Sequence, residues 1–127
     1  MNEIRMFVNG QAMSGGSLSG ALTSGRFLGA TDTAPLYRFF SVRDEFPGLF
    51  EVAVGGVKVP GELYEIGYEV LRVQLLPREP VELELGVIQL ADGSGSLSMR
   101  MRDTALQLPG VVDISDAGGW RAYLATR

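Results

Sequence analysis

Carboxylates dominate what this chain offers chemically. Glu62, Glu65, Glu69, Glu79, Glu82, Glu84 and Asp92 crowd the middle of a sequence that contains no histidine and no cysteine. Without imidazole or thiol, neither a Ser-His-Asp nor a Cys-His arrangement can be assembled within the chain, and most zinc sites lack their ligands. A glutamate in a poorly solvated pocket remains available, because burial disfavours its charged form and lifts its pKa toward neutrality, where it serves as acid and base. Most glutamates stay in water, so the one to single out must have unusual surroundings. Glu79 has them. In Leu75-Leu76-Pro77-Arg78-Glu79-Pro80 two prolines fix their own φ angles and bias the residue before each away from helix. Its side chain is therefore presented from a stiff turn, which suits a proton carrier and equally suits a plain connection from helix to strand. Glu82, just beyond the second proline, is the fallback.

A complementary feature lies near the start of the chain. In Phe7-Val8-Asn9-Gly10-Gln11-Ala12-Met13 an apolar, strand-like segment runs into a glycine. The successive backbone N–H groups of Gln11, Ala12 and Met13 can converge there on an anion such as a carboxylate; the alternative is a structural turn. The segment that follows, Ser14 to Gly20, is rich in glycine and serine but lacks the lysine of a phosphate-binding P-loop. A serine nucleophile in it would need Lys58, the only lysine, desolvated alongside. Loop flexibility accounts for these glycines without chemistry.

The elements that must position these groups are mostly extended. Val57, Val59, Gly61 and Leu63 alternate with Lys58, Pro60, Glu62 and Tyr64, and Leu97, Met99 and Met101 alternate with Ser98, Arg100 and Arg102. Such alternation predicts half-buried strands. Further strands are expected over 3–9, 26–31, 36–43, 50–54 and 82–90, punctuated by Phe46-Pro47-Gly48, by Val54-Gly55-Gly56 and by Ala91-Asp92-Gly93-Ser94, the last joining two strands as a hairpin. Helical patterns are short: Ser17 to Ser24, with Ser17 as N-cap and Gly25 past the end, Gly67 to Leu75, and Trp120 to Ala125. Trp120, Tyr123 and Leu124, at helical spacing, are expected in the core.

The 127 residues suit a single domain, 1–127, of α+β class around a curved or closed sheet. Apolar residues at 46% and charged residues at 20% are ordinary for a folded globular chain and exclude wholesale disorder. A net charge of -4 argues against a nucleic-acid footprint. No apolar run is long enough for a membrane span, and the first residues lack the pattern of a signal peptide, so a cytoplasmic location is expected. Nothing calls for a metal or a cofactor.

The order of several segments carries a resemblance. Met6-Phe7-Val8-Asn9-Gly10-Gln11-Ala12-Met13, then "TAPLYRFFSV" (33–42), "GELYEI" (61–66), "LLPREP" (75–80), "ELGVIQLADGSG" (84–95) and "GGWRAYL" (118–124) together resemble the γ-glutamylcyclotransferase-like superfamily. Within it, the chain is most similar to small proteins named for the C-terminal domain of allophanate hydrolase. The resemblance implies a small mixed β-barrel with a few short flanking helices. It also implies a chemistry in which the α-amine of a γ-glutamyl amine attacks the substrate's own γ-carbonyl, so the protein supplies no nucleophile. Such a site holds the substrate's carboxylate in a backbone nest and moves one proton. By this likeness Asn9, Gly10, Gln11, Ala12 and Met13 stand where the nest lies, and Glu79 lines up with the catalytic glutamate. The chain departs from that pattern at Asn9, where an aromatic residue is usual, at Gln11, where a serine is usual, and at Leu76, where an aspartate is usual. The carbamate chemistry of the allophanate hydrolase relatives implicates histidine, which this chain lacks, so that role is not carried over. Two functional classes follow. One is a small enzyme acting on a carboxylate-bearing amide; the other is a non-catalytic module that accompanies an amidohydrolase or a urea-pathway enzyme. A second copy of the chain is the other protein partner considered.

Overall fold

The structure, a computed structural model, describes residues 3–10, 12–13, 19–22 and 25–127. Gln11 and the 14–18 stretch with the expected N-cap Ser17 lie outside the described residues. The described residues form eight strands: β1 (Glu3–Val8), β2 (Arg26–Asp32), β3 (Tyr37–Val42), β4 (Phe46–Glu51), β5 (Pro60–Gly67), β6 (Leu83–Gln89), β7 (Gly95–Met101) and β8 (Val111–Asp113). They form one mixed sheet in the order β2-β5-β1-β7-β4-β3-β8, with β6 on the other side of β7. β7 runs parallel to β1 and β4, and the remaining pairs are antiparallel. A bridge between Thr33 and Leu90 brings the end of β2 back to the end of β6. Strand twist and this bridge curl the sheet into a half-barrel.

Local chemistry explains the turns that set this order. The β6–β7 hairpin forms where the Asp-Gly pair predicts it: Gly93 adopts φ +88°, and the Asp92 carboxylate accepts the Ser94 N–H at 2.9 Å. Phe46-Pro47-Gly48, expected to interrupt, instead opens β4, with Pro47 opposite Ser41 in the ladder to β3. Gly48 is required there because a Cβ would crowd Leu83 and Met101. The strand expected over 50–54 is thereby shifted to Phe46–Glu51, and the short β8 has no counterpart in the pattern.

The expectation of half-buried strands fails in an informative way. Val59, just before β5, and Leu63 on it are buried as expected, but Glu62 and Tyr64 on the opposite face are buried too. Two elements cover that face: Arg121 of the short α-helix α1 (Trp120–Leu124) reaches the Glu62 carboxylate, and the Phe27 ring of β2 lies 5.3 Å from that of Tyr64. On β7 the serines Ser96 and Ser98 are buried while Leu97 and Met99 are only partly so, and Ser98 Oγ donates to the Phe7 carbonyl at 3.0 Å, where β1 and β7 run side by side. Trp120 and Tyr123 are core residues, whereas Leu124 is exposed, because one helical turn presents a single buried edge.

Apolar side chains gather in two clusters. The larger includes Met6, Phe7, Leu49, Leu63, Leu71 and Leu75; the smaller contains Val42, Phe46, Leu83, Met101 and Ala105. Met99 packs against both. Among the described residues, no helix is long and apolar enough to cross a membrane.

Candidate functional site

Glu79 owes its position to a change of helical pitch. The helical pattern expected over Gly67 to Leu75 is wound as a π-helix over Val70–Leu75, with Leu71 and Leu75 buried against the larger cluster. A 3-10 turn, Leu76–Arg78, follows directly. Pro77 does not push its neighbour out of helical geometry: Leu76 has φ -59° and ψ -40°. Pro77 occupies the first positions of the short helix, where a missing N–H costs nothing. Pro80 does act as expected, and Glu79 before it is extended, with φ -77° and ψ 142°. The Glu79 N–H donates to the Leu76 carbonyl at 3.1 Å, which ties the chain back and turns the side chain inward.

The turn after β1 is equally constrained. The Met13 N–H donates to the Gly10 carbonyl at 3.1 Å, closing a four-residue turn. Gly10 is needed for close approach, since a Cβ on it would collide with the ring of Pro47 at the start of β4. The Met13 amide is therefore spent on the turn, and its side chain lines a different cavity from Glu79.

Asn9, Gly10 and Ala12 on one side and Glu79 on the other line a single cavity of about 220 Å³. At about 30 Å³ per water this holds roughly seven waters, enough for an amino-acid-sized group. The cavity sits at the seam of the two clusters: Phe7 comes from the larger, Phe46 and Leu83 from the smaller, and Met99 from both. Ser98 adds a hydroxyl to the wall, and Arg78 and Glu45 add charge. Glu82, the fallback, is not part of this wall; its carboxylate is held by Arg43 at 3.0 Å.

The electrostatics follow from what surrounds each group. No cation or hydrogen-bond donor among the described residues offsets the desolvation of Glu79, and burial pushes its carboxyl up to about 7. Asn9 is 7% exposed, and its Nδ2 has no hydrogen-bond partner among the described residues. A buried amide donor left without an acceptor is uncommon and costly. The cavity thus offers one acid able to take or give a proton near neutrality and, beside it, one polar group lacking a partner. Sequence reasoning missed Phe46, Pro47, Ser98 and Met99 as wall residues. The first two stood in a segment read as a break, and the others on a strand read as having its serine face toward water.

A curled mixed sheet with a few short helices is the γ-glutamylcyclotransferase-like fold. The mouse AIG2-like protein shares it with a TM-score of 0.65 at 17% identity, the match covering 87% of this chain and 86% of that one. The chain belongs to the allophanate hydrolase C-terminal domain family, whose model matches residues 4–125. A protein specific to uropathogenic E. coli is similar over its whole length, with 31% identity, a TM-score of 0.90, and coverage of 100% of this chain and 99% of that one. Allophanate hydrolase of Kluyveromyces lactis matches with a TM-score of 0.90 at 22% identity, covering 99% of this chain but only 22% of that enzyme. No curated protein matches the chain.

Proposed function

We propose that this protein is a small γ-glutamylcyclotransferase-like enzyme that acts on a γ-glutamyl amine or a related carboxylate-bearing amide, with Glu79 as general acid and base. The observation that supports the reading is that Glu79 and the Asn9-Gly10 turn share one cavity, with the acid poised near pH 7 by burial. A carrier with that pKa loses and regains a proton at little cost under neutral conditions. The substrate's α-amine attacks its own γ-carbonyl carbon, forming the new C–N bond of a five-membered lactam. The Glu79 carboxylate accepts the proton released by the attacking nitrogen and returns it to the leaving nitrogen as the old C–N bond breaks. The reaction is intramolecular, so the protein's main contribution is to hold the chain bent in a near-attack geometry. Asn9 serves this by donating from Nδ2 to an oxygen of the substrate, and a cavity of about 220 Å³ limits the enclosed part to the glutamyl group.

The test is a screen of γ-glutamyl amines and small carboxylates for thermal stabilisation, since a ligand of the native state raises apparent stability. Hits are then assayed for release of free amine by the wild type and by Glu79→Gln. Binding retained by the variant with turnover lost supports the role; equal turnover removes it.

A second reading has its own support. The Kluyveromyces lactis enzyme carries a region of this fold as 22% of its chain, which suits a non-catalytic module working beside an amidohydrolase. In that case the cavity binds a carboxylate or amide, and the wild type shows no turnover of any ligand that stabilises it.

A further inference from the structure

A second cavity, of about 190 Å³, shares no wall residue with the first. It forms where two segments far apart in the chain meet: Pro60-Gly61-Glu62 of β5, and the Gly118-Gly119-Trp120-Arg121 turn that opens α1. Opposite charges stand side by side in its wall. Glu62, 6% exposed, accepts the Tyr64 hydroxyl at 3.1 Å and Arg121 Nη2 at 3.4 Å, while the Arg121 side chain is itself more than half exposed. Trp120 belongs to the same wall; it is 2% exposed, and its indole Nε1–H has no acceptor among the described residues. Gly118 and Gly119, with φ of +84° and +112°, pass the cavity in a conformation that L side chains rarely adopt. A buried donor without an acceptor in a native fold calls for an explanation, and a bound ligand oxygen supplies one.

The wall prescribes the chemistry of what fits. An acceptor oxygen is needed at the indole, positive charge lies next to it in the chain on Arg121, and negative charge lies beside that on Glu62. The space equals roughly six waters at about 30 Å³ each, which matches a small metabolite. We infer that this second cavity binds a small α-amino acid, its carboxylate on the Trp120 N–H and the Arg121 guanidinium and its ammonium toward the Glu62 carboxylate. The site is independent of the reaction assigned to Glu79.

The chain has one tryptophan, so its indole N–H gives a single reporter resonance. Titration of the ¹⁵N-labelled protein with L-alanine up to about 10 mM, which spans a Kd of about 1 mM, is expected to shift that resonance saturably. Glu79→Gln is expected to leave the titration unchanged. Arg121→Gln is expected to weaken it by about tenfold or more, through loss of a charge-assisted hydrogen bond. Arg121→Lys, which keeps the charge but loses the planar fork, serves as the second variant should Arg121→Gln lose the dispersed spectrum of the fold, and it too is expected to bind more weakly. Propionate and ethylamine, each carrying half of the zwitterion, are expected to bind less well than alanine. The inference is overturned by an indole resonance that does not saturate, by unchanged affinity in the folded Arg121 variant, or by loss of the shift in Glu79→Gln, which would assign the binding to the first cavity.

Discussion

Exchanging Glu79 for glutamine keeps the shape of the side chain but removes its charge, and the structure fixes how stability must respond. Burial raises the folded carboxyl from its ordinary value of 4.5 to about 7. The folded protein therefore holds this proton more tightly than the unfolded chain does. The resulting stabilisation is complete below about pH 4.5 and is lost as the pH rises through about 7. The interval from 4.5 to about 7, at about 1.36 kcal/mol per pH unit, corresponds to about 3 kcal/mol, an upper figure because the cavity admits water. Glu79→Gln never carries the charge. Its stability relative to wild type should accordingly be near zero at about pH 4 and rise by up to about 3 kcal/mol by about pH 8. For a domain of this size, that is roughly 10 °C in Tm. Urea unfolding of both proteins at a series of pH values measures the difference directly. A difference that does not change with pH, or that turns against the variant as pH rises, refutes the claim that Glu79 is desolvated.

Three further outcomes follow from named contacts. Asn9→Leu removes the buried amide that lacks a partner, so the ligand-free protein should gain about 1 kcal/mol in denaturant unfolding, while stabilisation by any ligand of the first cavity should disappear. Gly10→Ala forces a methyl group into Pro47 and should cost about 1–3 kcal/mol by overpacking, with the loss read as a lower Tm and weaker ligand binding. Leu75→Ala empties a fully buried position at the end of the π-helix and should destabilise by about 2–5 kcal/mol, and the Glu79 turn that it supports should become more protease-sensitive.

What the sequence made legible depended on whether a signal was local. Glycine and proline chemistry acts within a few residues, so the Asp92-Gly93 hairpin and the extended Glu79 before Pro80 could be read directly. The pairing of the Gly10 turn with Glu79 came from the resemblance, because nothing local links positions so far apart in the chain. Burial of both faces defeated the alternation rule: Glu62 reads as a solvent-facing residue until α1 is placed over it. Pro47 misled for a related reason, since a proline breaks a central ladder but is tolerated where its missing N–H is not called upon. The Met13 amide was counted toward an anion nest, yet a turn hydrogen bond takes it, a choice that a string of residues cannot reveal. Winding into a π-helix likewise leaves no mark in a pattern read at 3.6 residues per turn.

The most direct test is a ¹³C NMR titration of the Glu79 side-chain carboxyl, assigned by the signal that vanishes in Glu79→Gln. The account predicts a midpoint near 7, and a midpoint at the ordinary 4.5 would contradict it.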